Sequence, residues 1–436
     1  MEISTKNVRR VLHAWCFYDW ANSVHALVIV STIFPIYWGN IAKGTDGSDM
    51  IMFLGQTVKN SALFSYSVSF AFLFVAFINP FFTAIADYTG TKKQFMQFYC
   101  YLGSIATAGL FWIDSSNYEI GIILFTVSLI GFSGSLVFYN AYLPEIATED
   151  KFDSLSANGF AYGYAGSVLL LVFSLSMIML PEVYGFTNKT LPTQLTFLLT
   201  GIWWFAFAQY TFAYLPKSAK KISSQTNWIW EGFRELRKVL NELKHLPLLN
   251  RFLLAFFFYN MGVQTVMYVA TLFGDKELQL PAQNLIITVL ILQIIAIVGA
   301  AFFAWLSNKV GNTRALGVSI VIWLLICVFA YFVTSGNEFY GLATLVGFVM
   351  GGVQALSRST YSKLMPEDTE DRASYFSFYD FVEKVAIFLG TLVYGVLDQI
   401  TGSMRNSVIA LGLFFIIGLF LLLKIPSKTT YQTRRA

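Results

Sequence analysis

Apolar runs of about 20 residues, each bounded by polar or turn-forming residues, recur along the whole chain, and a run of that length is what a helix needs to cross a bilayer. Counted in this way, spans fall near 14–38, 61–86, 95–113, 118–143, 158–180, 193–215, 249–273, 282–306, 314–334, 338–364, 374–397 and 403–424, twelve in all. Composition agrees, with 56% of the 436 residues hydrophobic and only 12% charged, against about 25% charged in a soluble globular protein. A soluble enzyme and a disordered protein are excluded. Every backbone amide in lipid must be satisfied within the chain, and these runs are far longer than the roughly ten-residue strands of a membrane barrel. The expected fold is an all-α membrane protein with twelve transmembrane helices.

Lysine and arginine orient those helices. With both termini cytoplasmic, the inward segments hold 23 of the 29 basic residues, and the outward loops hold only Lys43, Lys59, Lys189, Lys276 and Arg405. Lys384, left inside a span, belongs to neither count. That asymmetry is what an even number of helices with both ends in the cytoplasm requires, so the net charge of +4 is an orientation signal and no nucleic-acid partner is expected. The run after Arg10 is too long for a cleaved signal peptide and lacks a small-residue cleavage site. Cys16, Cys100 and Cys327 sit singly in apolar stretches, which points to packing rather than to disulfides or zinc.

The longest polar segment runs from Pro216 to Asn250. Within it Ile229, Phe233, Leu236, Val239, Leu240 and Leu243 recur at helical spacing, opposite Glu231, Arg234, Glu235, Arg237, Lys238 and Glu242. This is an amphipathic helix expected to lie on the inner leaflet and to link two bundles. The expected division is 1–216 for an N-terminal six-helix bundle, 217–248 for the linker and 249–436 for a C-terminal bundle.

The two bundles are related by an internal repeat. Phe17-Tyr18-Asp19-Trp20-Ala21-Asn22 resembles Phe258-Tyr259-Asn260-Met261-Gly262-Val263. Asp87-Tyr88-Thr89-Gly90-Thr91-Lys92-Lys93 parallels Asn308-Lys309-Val310-Gly311-Asn312-Thr313-Arg314. Tyr139-Asn140-Ala141-Tyr142-Leu143-Pro144-Glu145 parallels Tyr361-Ser362-Lys363-Leu364-Met365-Pro366-Glu367. The matches keep their order along the chain, as two parallel halves require.

Ionisable groups inside apolar spans are costly enough to be read as functional. At 100° per residue Asp19, Asn22, Ser23 and Ala26 share one stripe of span one, and Asn260, Gln264 and Met267 form the matching stripe of span seven. Facing one another, they would line a central cavity. The alternative for Asp19 is a pairing with Arg9 or Arg10. Arg358 in span ten stays charged and needs a carboxylate, for which Asp19, Glu145, Asp380, Glu383 and the substrate are candidates. Asp380, Glu383 and Lys384 share a face of span eleven, so Asp380 and Lys384 can pair within the helix, leaving one carboxylate for Arg358. That network could equally close an inner gate. His25 lies off the polar stripe and reads as a packing residue. No phosphate-binding glycine loop, HExxH pattern or histidine cluster is present, so neither an enzyme nor a cofactor or metal is expected.

Two parallel six-helix halves, a basic central loop and the Asp87, Gly90 and Lys92 turn resemble the major facilitator superfamily. Thr83 and Tyr88 depart from its usual pattern. Tyr18-Asp19-Trp20-Ala21-Asn22-Ser23, Gly262-Val263-Gln264-Thr265, Gly352-Val353-Gln354-Ala355-Leu356-Ser357-Arg358-Ser359 and Phe378-Tyr379-Asp380 with Lys384 resemble, more specifically, the family of the fungal autophagy-related vacuolar amino-acid effluxer and its bacterial relatives. The resemblance implies a permease of a bacterial plasma membrane that exports amino acids or similar small zwitterions. It also implies that Asp87 sits against the N-terminus of helix eleven beside Arg372, closing the cytoplasmic side with Gly90, Lys92 and Glu145. The alternative for Asp87 is to accept amides of its own turn. The reading is thus a secondary transporter working by alternating access. Its pathway draws on Asp19, Asn22, Ser23, Asn260, Gln264, Gln354, Arg358, Asp380, Glu383 and Lys384. Its expected partners are a small-molecule substrate and lipid, acting on a monomer. Proton coupling through Asp19 or the Asp380 and Glu383 pair, and a sugar or organic-anion symporter, stay open. A membrane-embedded enzyme or lipid-handling protein is the remote alternative.

Overall fold

The computed structural model describes residues 6–44, 46–217, 228–366, 369–401 and 403–426. Among the described residues twelve long helices run back and forth: α1 (Arg9–Ile41), α2 (Asn60–Thr89), α3 (Lys92–Gly109), α4 (Tyr118–Ile146), α5 (Phe152–Met179), α6 (Thr190–Tyr214), α7 (Pro247–Lys276), α8 (Ala282–Val310), α9 (Asn312–Phe332), α10 (Gly336–Leu364), α11 (Arg372–Thr401) and α12 (Met404–Leu423). Ten are by length and apolarity long enough to cross a membrane. The other two, α3 and α11, carry Lys92 and Lys93, and Asp380, Glu383 and Lys384. Because the helix number is even, the start of α1 and the end of α12 lie on one face, here the terminal face.

The main packing pairs of the first half recur six helices on. The α1·α5, α2·α4, α3·α4, α3·α6 and α1·α6 pairs are repeated as α7·α11, α8·α10, α9·α10, α9·α12 and α7·α12. The halves meet in the same symmetric way, α2 and α4 against α11, and α8 and α10 against α5. The repeat in the sequence is therefore a repeat in three dimensions, and the architecture is the expected pair of six-helix bundles.

Small residues set the close approaches. Gly163 and Gly166 of α5 face α1, where an added Cβ would lie 2.5 Å from Ser23 Oγ and 2.8 Å from the Trp20 carbonyl. Gly90 ends α2 at φ 67° and Gly311 separates α8 from α9 at φ 88°, conformations that suit glycine because it has no Cβ. In α1, His25–Ile33 is π-helical, and Ser31 and Thr32 donate to the carbonyls five residues back.

One element was not expected from the sequence. The loop after α1 folds into an antiparallel hairpin, β1 (Met50–Phe53) with β2 (Gln56–Lys59), turned by Leu54 and Gly55 at φ 48° and 80°. Two consecutive positive φ values match the twist of the flanking strands. At its base Lys43 lies 2.5 Å from Asp49 and holds that carboxyl below the ordinary range by hydrogen bonding and charge. This side of the molecule is called the hairpin face below.

The linker helix, Trp228–Lys244, forms where the amphipathic pattern placed it, but it does not lie free on a leaflet. It packs along α2 and touches α11, and Val239 and Leu243 are buried while Arg234, Arg237 and Leu240 are exposed. The side chains of Ile229, Glu231, Phe233, Glu235 and Leu236 lie outside the described residues. The three cysteines are buried and unbridged.

Candidate functional site

Between the halves lies a cavity of about 280 Å³. Asp19, Asn22, Ser23 and Ala26 of α1 line it, as do Asn260, Gln264 and Met267 of α7, so the two sequence stripes do face one space. Gln354 and Arg358 of α10 and Glu383 and Lys384 of α11 extend the polar lining, with Phe160 and Tyr164 of α5 beside them. On α1 the lining runs from Asp19 to exposed Ser31, about 18 Å at 1.5 Å per residue. The cavity thus rises from mid-molecule toward the hairpin face.

Its floor is an ion pair between halves. Arg358 Nη1 is 3.5 Å from Asp19 Oδ2, and both side chains are buried. Tyr139 of α4 donates to the same Asp19 oxygen at 2.7 Å. Arg358 Nε donates to Ser156 Oγ at 2.9 Å, Nη2 to the Ser156 carbonyl at 2.8 Å and Nη1 to Asn140 Oδ1 at 3.3 Å. The guanidinium lies 4.2 Å from the Phe160 ring centroid and 4.7 Å from that of Trp15, within range for cation–π attraction. A planar fork with donors on three sides is used here as only arginine allows. Gly159 leaves the room, since its Cβ would stand 2.7 Å from Asp19 Oδ2 and 3.0 Å from Arg358 Nη2.

Two expectations about these charges need correcting. Asp19 pairs with neither Arg9 nor Arg10; Arg10 instead bonds and stacks on Tyr214. Neither Asp380 nor Glu383 is the partner of Arg358. Asp380 lies 3.1 Å from Lys384 and accepts from Asn79 of α2 at 3.3 Å, while Glu383 lies 3.2 Å from Lys384. Both carboxylates of α11 converge on one lysine because the i, i+4 pair already fixes its head group. His25 is a packing residue, buried between Phe132 and Trp204 with its Nε2 2.9 Å from Ser128.

Below the floor, toward the terminal face, two carboxylates join the halves. Asp87, at the end of α2, accepts from the amides of Ala373 and Ser374 at 3.3 and 2.8 Å and from Ser374 Oγ at 2.9 Å. Those are unpaired donors of the first turn of α11, where the helix dipole favours negative charge. The turn after α2 closes without Asp87, by the Thr91 amide donating to the Ala86 carbonyl. Lys92 stands 3.5 Å from Asp87 and bonds Glu145 of α4, and Arg372 opens α11. On the other side Asp153 of α5 accepts from Ser307 at 2.7 Å, Asn312 at 2.6 Å and Lys363 at 2.7 Å. These arrangements are symmetry mates in position but not in chemistry, because the carboxylate comes from α2 in one and from α5 in the other.

The sequence did not single out Asp153, Ser156, Tyr164 or Asn79. Tyr139 and Asn140 lie in a segment marked only by the repeat. The Tyr164 hydroxyl, which donates to Gln354 at 2.5 Å, and Ser156, which donates to the Ala355 carbonyl at 2.8 Å, are further bonds between halves.

Comparison with known proteins places this geometry. The profile of the family described as "Vacuole effluxer Atg22 like" matches residues 7–433. An MFS-type transporter, YxiO, of Bacillus subtilis (strain 168) is 31% identical over 419 residues, covering 96% of this chain and 95% of that one. Autophagy-related protein 22-1 of Phaeosphaeria nodorum is 25% identical, covering 95% and 90%. Among solved structures, the major facilitator superfamily transporter FucP in the outward conformation superposes with a TM-score of 0.71 at 13% identity, covering 97% of this chain and all of that one. The human organic anion transporter MFSD10 superposes with a TM-score of 0.69 at 14% identity, covering 95% and 99%.

Proposed function

The chain belongs to the Atg22-like vacuole effluxer family of major facilitator transporters, and on that premise we propose that it exports amino acids or similar small zwitterionic solutes by alternating access. One observation carries the substrate class. The cavity floored by the Asp19–Arg358 pair offers both signs of charge, at Asp19 and Arg358 on its floor and at Glu383 and Lys384 on its wall. A zwitterion presents an ammonium and a carboxylate together, and only a site of mixed sign offers each end a counter-charge. Asn22, Asn260, Gln264, Gln293 and Gln354 supply neutral donors and acceptors around them.

The terminal face is the cytoplasmic one in this reading, in keeping with the basic residues that crowd it, and the membrane is a bacterial plasma membrane. The protein works as a monomer whose halves, 1–216 and 249–436, rock about the cavity while 217–248 joins them. Asp380 and Glu383, two carboxylates sharing one lysine, are the best placed groups for a coupled proton. The amide-rich lining also suits a hydroxylated solute, which keeps a sugar symporter as the second reading.

Purified protein in liposomes, offered a panel of labelled amino acids, sugars and organic anions with and without a pH gradient, tests the reading. Saturable movement of one or more neutral amino acids, lost in Arg358→Ala, is the expected outcome. Movement of sugars or anions alone would replace the substrate class.

A further inference from the structure

The linker helix binds the turn of α11 that Asp87 of α2 caps. Lys238 Nζ lies 2.8 Å from Asp371 Oδ2, and the Tyr375 hydroxyl donates to Glu242 Oε2 at 2.9 Å. Asp371 immediately precedes α11 and Tyr375 closes its first turn, so these bonds bracket Ala373 and Ser374, the residues whose amides Asp87 accepts. The Asp371 side chain is 2% exposed against 48% for Lys238, so the lysine reaches from solvent to neutralise a buried carboxylate. Tyr375 is also tied to the second half, its carbonyl accepting from Tyr361 of α10 at 2.6 Å. The linker helix meanwhile packs along α2, with Val239 and Leu243 buried.

We propose that the linker helix is a latch that holds the terminal face closed, with Lys238 and Glu242 as positioning residues for the first turn of α11. The helix rides on α2 of the first half and grips α11 of the second. If α2 and α11 part, as opening of the terminal face requires, it can stay with only one of them, and the Lys238–Asp371 and Glu242–Tyr375 contacts break. The latch acts in parallel with Asp87. It approaches the same turn from outside the bundle, where a charge contact on a half-exposed lysine is weakened by salt.

The inference rests on the alternating-access reading, and its test needs no substrate. Spin labels at Gln94→Cys on α3 and Arg314→Cys on α9, both exposed near the terminal face, report the separation of the halves in the full-length protein. The three native cysteines are buried. The latch predicts that Lys238→Met and Asp371→Asn each raise the long-distance population about fivefold, and that the double variant goes no further than either single one. Glu242→Gln, which also loses the 3.9 Å pairing with Lys238, provides a second variant with a shift in the same direction, and Lys238→Arg should stay near wild type. Unchanged distributions in Lys238→Met and Glu242→Gln, or independent multiplying effects of Lys238→Met and Asp371→Asn, would overturn it. A protein that transports but shows no shift loses the latch and keeps its function; one that shifts but moves no solute keeps the latch and loses the transport reading.

Discussion

Arg358 of α10 and Asp19 of α1, separated by 339 positions in the sequence, form a buried 3.5 Å ion pair across the two halves of the molecule. Breaking a buried pair by removing one partner is strongly unfavourable because the other charge is left uncompensated. Here that penalty falls on the floor of the cavity, at the point where the halves must separate and rejoin.

Asp19→Asn is expected to fold, because Arg358 keeps Ser156 and Asn140 as acceptors, but to lose transport by roughly tenfold or more, for about 1.4 kcal/mol or more of lost stabilisation. Initial uptake rates in liposomes check this. Arg358→Ala should not be rescued by Asp380→Asn or Glu383→Gln, whose carboxylates belong to Lys384. Rescue by either would place the arginine's partner on α11.

Gly159→Ala inserts a methyl group against both members of the pair. Overpacking of a close contact costs about 1–3 kcal/mol, and here the easiest relief is to separate the two charges. The variant should therefore resemble Asp19→Asn in transport. Gly341→Ala and Gly395→Ala, where a Cβ would meet nothing within 4 Å, serve as neutral controls. Equal rates in Gly159→Ala and the controls would mean that the floor tolerates the methyl group.

Asp87→Asn keeps one acceptor for the first turn of α11 but removes the negative charge that the helix dipole and Lys92 favour. Asp87 is buried, and a charge at a helix terminus shielded from water is worth up to about 2 kcal/mol, so the closed terminal face should lose population by roughly fivefold to thirtyfold. Distances between spin labels on α3 and α9 measure the shift. An unchanged distribution with normal transport would limit Asp87 to a local role.

Asp153→Ala removes the carboxylate that joins Ser307, Asn312 and Lys363 of the second half to α5. The expected result is a lower unfolding temperature in detergent together with a wider terminal face. Because Asp153 and Lys363 share one contact, adding Lys363→Met should cost less than the sum of the two single losses. Strictly additive losses would show that the two residues act independently.

How much of this was legible in the sequence depends on the range of the signal. The twelve spans, the linker helix and the Asp19 and Asn260 stripes follow from periodicity within single helices, and the structure places both stripes on one cavity. The parallel halves follow from ordered matches such as Gly90 with Gly311, two glycines that end helices at positive φ. What periodicity cannot encode is which helix faces which. Arg358 had five candidate partners because nothing local distinguishes Asp19 of α1 from Asp380 of α11. Asp153 lies 210 positions from Lys363, and in isolation it reads as an acidic residue at the start of a helix. The hairpin at Leu54 and Gly55 was obscured because each of its strands is only four residues long, too short a run for alternation to stand out.

Counterflow tests the central claim most directly, because it requires a single site that faces the two sides in turn and needs no assumption about the coupling ion. Liposomes loaded with an unlabelled neutral amino acid are diluted into a trace of the labelled one. The account predicts transient, saturable accumulation of label above equilibrium with wild-type protein, and accumulation no greater than in empty liposomes with Arg358→Ala. Folded wild-type protein that gives no counterflow with any amino acid, or Arg358→Ala that matches wild type, would contradict it.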